Sequence, residues 1–326
     1  MSISTEDKKK IIKQYPKSSI SELSRELGVS RRAVKKVLQE KEQARARMKK
    51  RAVLLALVLA VAAGAAGGAV YYVQTLPPPA ADPEERNLLI VSIDTCRADR
   101  LGCYGYGNAK TPVIDSIAAQ GVKMERAYAI QPITLPSHAT ILTGLHSFNH
   151  GVRDNGLYKL PREAVTMAEV LREKGYLTGA IISAFVLNEQ FGLSQGFEHY
   201  DDRLSKEPTK SSGIAEIQAS LVSERAVNWI EKNANKKWFL WLHYFDPHAP
   251  YVPPEKFKDA TGDPYDGEIA YVDHELERVM NLLDRKNLRR KTVVIITSDH
   301  GEGLGEHEEA THGIFLYNST MHVPMI

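Results

Sequence analysis

The chain has 326 residues, 43% of them hydrophobic and 25% charged, a balance ordinary for a globular protein and unlike a disordered or low-complexity one. Its net charge of +2 conceals a division: residues 1–51 carry 16 Lys and Arg against 6 Asp and Glu, a net of +10, leaving −8 for the rest. Two cysteines, Cys96 and Cys103, cannot make a disulfide framework. A bridge between them in an oxidising compartment and a pair of free thiols both remain open.

Residues 19–40 read SISELSRELGVSRRAVKKVLQE, a short helix, a turn at residues 27–30 and a second helix capped by Ser30. Apolar Ile20, Leu23, Leu27, Val29, Val34 and Leu38 fall where two crossing helices share a small core. The pattern resembles bacterial helix-turn-helix modules that bind DNA, with Arg31, Arg32, Lys35 and Lys36 available to phosphates. Residues 5–14 are the one segment available for a third helix. The same basic surface suits anionic lipid or a protein partner.

Residues 52–73 form a run of 22 without a charge, and about 20 apolar residues cross a bilayer core. Arg47, Lys49, Lys50 and Arg51 abut its N-terminal end. The positive-inside tendency then predicts a single-pass anchor with a cytoplasmic N-terminus and an extracytoplasmic, periplasmic remainder. A 51-residue lead is too long for an ordinary signal peptide. Pro77 to Pro79 and the acidic stretch 82–85 make residues 74–86 a stiff, polar linker.

From residue 87 to 326, apolar strand-like runs alternate with amphipathic helices, which predicts an α/β domain with a largely parallel sheet sandwiched by helices. Helices are expected from Thr111-Pro112 to Gly121, between Thr166 and Gly175, and near 214–233 and 267–286. Three apolar runs end at chemistry: 88–93 at Asp94, 239–242 at His243, Asp246 and His248, and 293–298 at Asp299 and His300. Ligands of open α/β sheets sit beyond such carboxyl ends. Residues 321–326 read as a strand just beginning, so the domain is expected to be C-terminally incomplete.

Asp94, Asp299 and His300 combine hard oxygen with borderline nitrogen, a set that suits zinc or manganese better than calcium. Thr134 opens a helix that Pro136 can start and Gly144 can end. A hydroxyl there is a cap or, beside a cation and the helix N-terminus, a nucleophile toward an anionic ester. Arg97 can clamp an anion or pair with Asp99 or Glu125.

The blocks NLLIVSIDTCRADRLGCYG, TLPSHATILTG, HYFDPHAPYVPP, YDGEIAYVD and TSDHGEGLGEH, in this order over residues 87–326, resemble the sulfatase branch of the alkaline-phosphatase superfamily. The resemblance implies an α/β fold, a divalent metal at Asp94, Thr134, Asp299 and His300, and a nucleophile at Thr134. His248 falls in the family's anion- or metal-contacting block and is a candidate catalytic residue, His312 is a candidate substrate contact, second-metal ligand or general acid, and Arg97, His138 and Asp246 are candidate substrate contacts. Sulfatases of this family oxidise a Cys or Ser in Cys/Ser-x-Pro-x-Arg to formylglycine, whereas this chain reads Thr134-Leu135-Pro136-Ser137-His138. Threonine cannot form that aldehyde, so no formylglycine is expected. Thr95 stands where a second acid often follows, and His312 where a lysine is usual. These departures resemble the superfamily's phosphatases, phosphodiesterases and phospho-group transferases. The expectation is a membrane-anchored ester hydrolase or transferase acting on phosphate or sulfate esters. The alternatives are a sulfuric ester hydrolase proper, or a membrane-tethered DNA-binding regulator whose outer domain senses a ligand.

Overall fold

The structure, a computed structural model, describes residues 4–15, 17–43, 86–204 and 216–326. The chain divides into two compact units, Met1–Leu76 and Pro77–Ile326. The expected span at 52–73, and the linker up to residue 85, lie outside the described residues. Among the described residues no helix is long and apolar enough to cross a membrane.

In the first unit, helices run over Thr5–Gln14, Ile20–Glu26 and 31–43. Each start carries a serine cap. Ser4 Oγ accepts from Asp7 N, Ser19 and Glu22 form a reciprocal capping box, and Ser30 Oγ accepts from Ala33 N at 3.2 Å. Ile11 of the first helix joins Leu23, Val34 and Val37 in one buried cluster, against which Ile20, Leu27, Val29 and Leu38 pack. Segment 5–14 therefore supplies the third helix that a small core needs. Arg31, Arg32, Lys35 and Lys36 are all exposed.

The second unit is built on a five-stranded, wholly parallel sheet. Its strands are β1 (Asn87–Ile93), β3 (Leu177–Ile181), β4 (His199–Asp201), β5 (Trp238–Tyr244) and β6 (Thr292–Thr297); β2 (Ala127–Tyr128) and β7 (His322–Val323) make a separate antiparallel pair. The order β4-β3-β5-β1-β6 puts β1 between β5 and β6, with Ser92 opposite His243 on one side and Thr297 on the other. All seven residues of β5 are buried, which explains why its sequence is continuously apolar rather than alternating.

Alternation still sorts the two faces. Leu89, Val91 and Ile93 join a core with Ile114, Val222, Ile230, Ile269 and Leu276, from helices Pro112–Gln120, Ala219–Asn233 and Pro264–Arg285. Ile90, Phe239 and Trp241 face the other core, with Leu135, Ala139 and Ala168 from helices Thr134–Thr143 and Met167–Glu173. The sheet is thus covered on both faces, as its sequence pattern predicts. Within residues 321–326, which read as one strand in the sequence, Met321 instead ends a short helix, His322–Val323 form β7 paired with β2, and Ile326 exchanges two 3.0 Å backbone hydrogen bonds with Ile296.

On β3, Gly179 lies under the Trp229 ring, where a Cβ would meet Cζ2 at 2.6 Å. Gly179→Ala is expected to destabilise the unit by about 1–3 kcal/mol, the usual cost of overpacking, measured as a lower midpoint in urea at unchanged m-value.

Candidate active site

The parallel register carries the carboxyl ends of β1, β5 and β6 to one place. Asp94 follows β1 directly, and its amide donates to Tyr244 O at 2.8 Å. The chain then turns sharply through Thr95, a β-branched residue at φ 56°. The Tyr265 hydroxyl, donating to Thr95 O at 2.7 Å, and Asp299 Oδ1, accepting from Thr95 N at 3.2 Å, hold this strained turn. After β6, Gly301 passes so close to the Ser319 backbone that no side chain fits, and its amide donates to Thr320 O at 2.7 Å.

Asp94, Asp299 and His300 are fully buried, and one ligand atom from each lies within 4.8 Å of the others. His300 Nδ1 donates to Gly301 O at 2.9 Å, so the Nε2 lone pair faces inward. That nitrogen is 3.4 Å from Asp299 Oδ2 and 3.4 Å from Thr134 Oγ1. Thr134 is 1% exposed and is the first residue of its helix; Leu135 N donates to Asn155 Oδ1 at 2.9 Å, Ser137 N donates to Ile133 O and Pro136 has no N–H, so the helix dipole, not a row of open donors, favours an anion here. Three residues 40 and 205 positions apart in sequence from Asp94 onward, Asp94, Thr134 and Asp299, thereby share one site with His300.

Two atoms show that this cluster suits a cation. Asp94 Oδ1 and Asp299 Oδ2 are buried without a hydrogen-bond partner, a costly state for a carboxylate oxygen. Burial pushes Asp94 well above the usual carboxylate range, and the Asp299 and Glu302 charges push it further. Burial raises Asp299 as well. The nearby imidazoles do not compensate: burial lowers His243 and His300 well below their ordinary value and lowers His138 too. Two oxygens and one imidazole nitrogen, left with a negative excess, match the donor set of a divalent cation.

The remaining expected residues divide by what they touch. His138 is engaged on both ring nitrogens: Nδ1 donates to Thr134 O at 2.9 Å, and Nε2 lies 3.0 Å from Ser92 Oγ. Trp241 Nε1 donates to the same serine oxygen at 2.9 Å. His138 therefore braces the backbone of Thr134 from the core side. Asp246 Oδ1 accepts from Ala219 N at 3.0 Å, at the start of helix Ala219–Asn233. The Arg97 guanidinium forms the alternative ion pair with Asp99, and it pairs with Glu306 in place of Glu125, which pairs with Lys123. It donates to Asp99 at 2.8 and 2.9 Å, to Glu306 at 2.7 Å and to Glu302 O at 3.1 Å, which leaves an anion two carboxylates to displace. Cys96 and Cys103 are both free thiols.

His248 stacks on Phe245 and meets the His312 ring at 5.0 Å; His312 in turn lies 4.4 Å from the His300 ring. Asp246, His248 and His312 do not form a second metal group among the described residues. Sequence reasoning gave no role to two members of the site. His243, named only as the residue at which the 239–242 run ends, sits with Nε2 3.1 Å from Asp94 Oδ2 and Nδ1 3.0 Å from Ser183 Oγ. Glu302, fully buried, accepts from His312 Nδ1 at 3.1 Å. Burial alone would raise its pKa, yet the His312 hydrogen bond and charge hold it below the usual range. The signal for Glu302 was its place two residues after His300.

Known proteins resemble this chain in sequence and in fold. The chain is 24% identical over 310 residues to "Uncharacterized sulfatase YidJ" of Escherichia coli K12, covering 74% of this chain and 62% of that protein. It is 25% identical over 272 residues to the "Ulvan-active sulfatase" of Formosa agariphila, covering 70% and 52%. The chain thus spans between about half and two thirds of the length of these curated relatives. Among solved structures, the yidJ sulfatase of Bacteroides fragilis superposes with a TM-score of 0.64 at 22% identity, over 78% of this chain and 69% of that one. The phosphonate monoester hydrolase of Agrobacterium radiobacter gives 0.64 at 21% identity, over 74% and 67%. The sulfatase family model matches residues 86–326, which cover the whole sheet and every residue of the site, and the chain belongs to the sulfatase family.

Proposed function

We propose that the second unit cleaves or transfers phosphate or sulfate esters through Thr134 as nucleophile, assisted by a divalent cation held by Asp94, Asp299 and His300. The observation that carries this reading is the buried Thr134 Oγ1, 3.4 Å from His300 Nε2 at a helix start. The bound cation supplies Lewis-acid charge neutralisation and eases removal of the threonine proton. The O,O,N donor set favours zinc or manganese over calcium.

The protein's own groups do the rest. The positive end of the helix dipole favours the anionic ester, while His138 fixes the Thr134 carbonyl and His243 fixes Asp94. Thr134 Oγ, its proton passing to water, bonds to phosphorus or sulfur as the bond to the leaving oxygen breaks; that oxygen takes the electron pair and a proton from His312, which regains its proton from water. Water or an acceptor alcohol then attacks the covalent intermediate and returns Thr134. Names of the curated relatives point to sulfate esters, whereas threonine at the nucleophile position, with no route to formylglycine, points to phosphoesters. Rates on para-nitrophenyl sulfate, phosphate and a phosphodiester, each before and after chelation and metal restoration, test the reading. Metal-dependent turnover of at least one supports it, and turnover unchanged by thorough metal removal contradicts it.

We place this unit outside the cytoplasm on a single-pass anchor at residues 52–73, a reading supported by the charge-free run and its basic N-terminal flank. A second reading concerns the first unit, where a packed three-helix core exposes Arg31, Arg32, Lys35 and Lys36 on one helix. Such a face suits DNA phosphates. The full chain is expected to bind duplex DNA with an affinity that falls steeply with salt, and the double substitution Arg32→Glu, Lys36→Glu to abolish that binding in a gel-shift titration. Equal binding by the variant removes DNA as a partner.

A further inference from the structure

We infer that Glu302 is a positioning residue, which holds His312 with Nδ1 turned into the protein and Nε2 turned toward the scissile ester bond. The inference rests on the reading of His312 as the proton donor and adds to it a group that fixes the donor's geometry.

The pair is a buried carboxylate behind a partly accessible ring. The Glu302 side chain is 0% exposed and that of His312 is 13% exposed, with 3.1 Å between Oε1 and Nδ1. A hydrogen bond to a carboxylate makes Nδ1 the protonated nitrogen, so Nε2 is the atom that exchanges protons. The ring is set against the rest of the site, 4.4 Å from the His300 ring and 5.0 Å from the His248 ring.

The backbone fixes both partners. Gly301 N donates to Thr320 O, Glu302 N to Ser319 O and Gly303 N to Thr311 O, at 2.7, 2.9 and 2.6 Å. These bonds tie residues 301–303 to the segment that carries His312. Glu302 Oε1 also accepts from Gly303 N at 3.2 Å, which sets its rotamer. The segment that supplies Asp299 and His300 thus also supplies the anchor of the proposed acid, and one rigid piece of chain aligns nucleophile and donor.

During cleavage the leaving oxygen accepts the bonding pair and the Nε2 proton, and His312 is left neutral with its Nδ1–H still on Glu302. Esters differ in how much they need that proton. A nitrophenolate departs without help, whereas an alkoxide does not. The test compares kcat on para-nitrophenyl phosphate with kcat on ethyl phosphate, and likewise on the two sulfates, for the full chain, Glu302→Gln, His312→Ala and the double variant. Glu302→Gln keeps the shape and is expected to lower turnover of the ethyl ester by about 10–100-fold, with the nitrophenyl ester changed far less. In the His312→Ala background the same substitution is expected to add nothing.

Equal losses on both esters, or additive losses in the double variant, overturn the role of Glu302. If His312→Ala itself treats both esters alike, the reading of His312 fails, and the inference with it. Elemental analysis closes the remaining route: Glu302→Gln is expected to retain the cation content of the parent, and loss of a metal equivalent would make Glu302 a ligand rather than an anchor. Circular dichroism and thermal melting accompany each variant, and Glu302→Asp replaces Glu302→Gln if the latter does not fold.

Discussion

Thr134→Ala is expected to lower kcat by at least about 10⁴-fold while leaving the fold and the cation content unchanged. The side chain lies at the head of a helix whose packing is carried by Leu135, Ala139 and Leu142, none of which depends on the hydroxyl. His138 bonds to the Thr134 carbonyl, and alanine keeps that group. Stability should therefore change little and chemistry greatly. Thr134→Ser retains the nucleophilic oxygen and is expected to keep measurable turnover. If Thr134→Ala cleaves esters at the parental rate, no covalent scheme through this residue survives.

The second large effect is a trade between stability and metal binding. In metal-depleted protein, Asp94 and Asp299 face each other in a buried site, and Asp94 is raised well above its ordinary value of 3.8. A native carboxyl with a raised pKa holds its proton more tightly than the unfolded chain does. Its contribution to stability is complete below the unfolded value and is lost as pH climbs through the folded one. Chelated protein is thus expected to melt at progressively lower temperature as pH rises from about 4 toward neutrality. Bound cation replaces the proton and flattens the curve. Asp94→Asn removes the buried charge, so its metal-free form is expected to be more stable than the parent at neutral pH, while cation affinity falls by about 100-fold or more. Calorimetry with and without chelator measures both, and a metal-free variant less stable than the metal-free parent would show that Asp94 is held by contacts other than a cation.

Local chemistry made part of this site legible in the sequence. Strand runs that stop at Asp94 and at Asp299-His300 need only the period of a buried strand and the rule that ligands gather beyond its carboxyl end. The Thr134 helix, with Pro136 in its first turn and Gly144 at its end, is similarly local. Residues whose meaning depends on partners far along the chain were harder. His243 reaches Asp94 across 149 positions, through a register that places Ser92 opposite His243. Arg97 pairs with Glu306, 209 positions away, and no spacing rule distinguishes that from an anion clamp. His138 reads as a substrate contact in the sequence, but a residue four positions after the helix start lies on the same face as the first, and its ring bonds Thr134 O and Ser92 and stands 3.7 Å from Asp299 Oδ2. Asp246 follows β5 in the chain yet turns to the neighbouring helix, a choice set by packing rather than by sequence pattern.

One measurement bears most directly on the claim that Thr134 attacks the ester. Metal-loaded protein is mixed with excess para-nitrophenyl phosphate or sulfate, quenched in acid within a turnover, digested and analysed by tandem mass spectrometry. The peptide containing Thr134 is expected to carry a phosphoryl or sulfuryl group on that residue, in Thr134→Ala the label is expected to vanish, and release of nitrophenolate should show a burst equal to the labelled fraction. Full turnover with Thr134 unmodified at every quench time, or label on another residue that persists in Thr134→Ala, would contradict it.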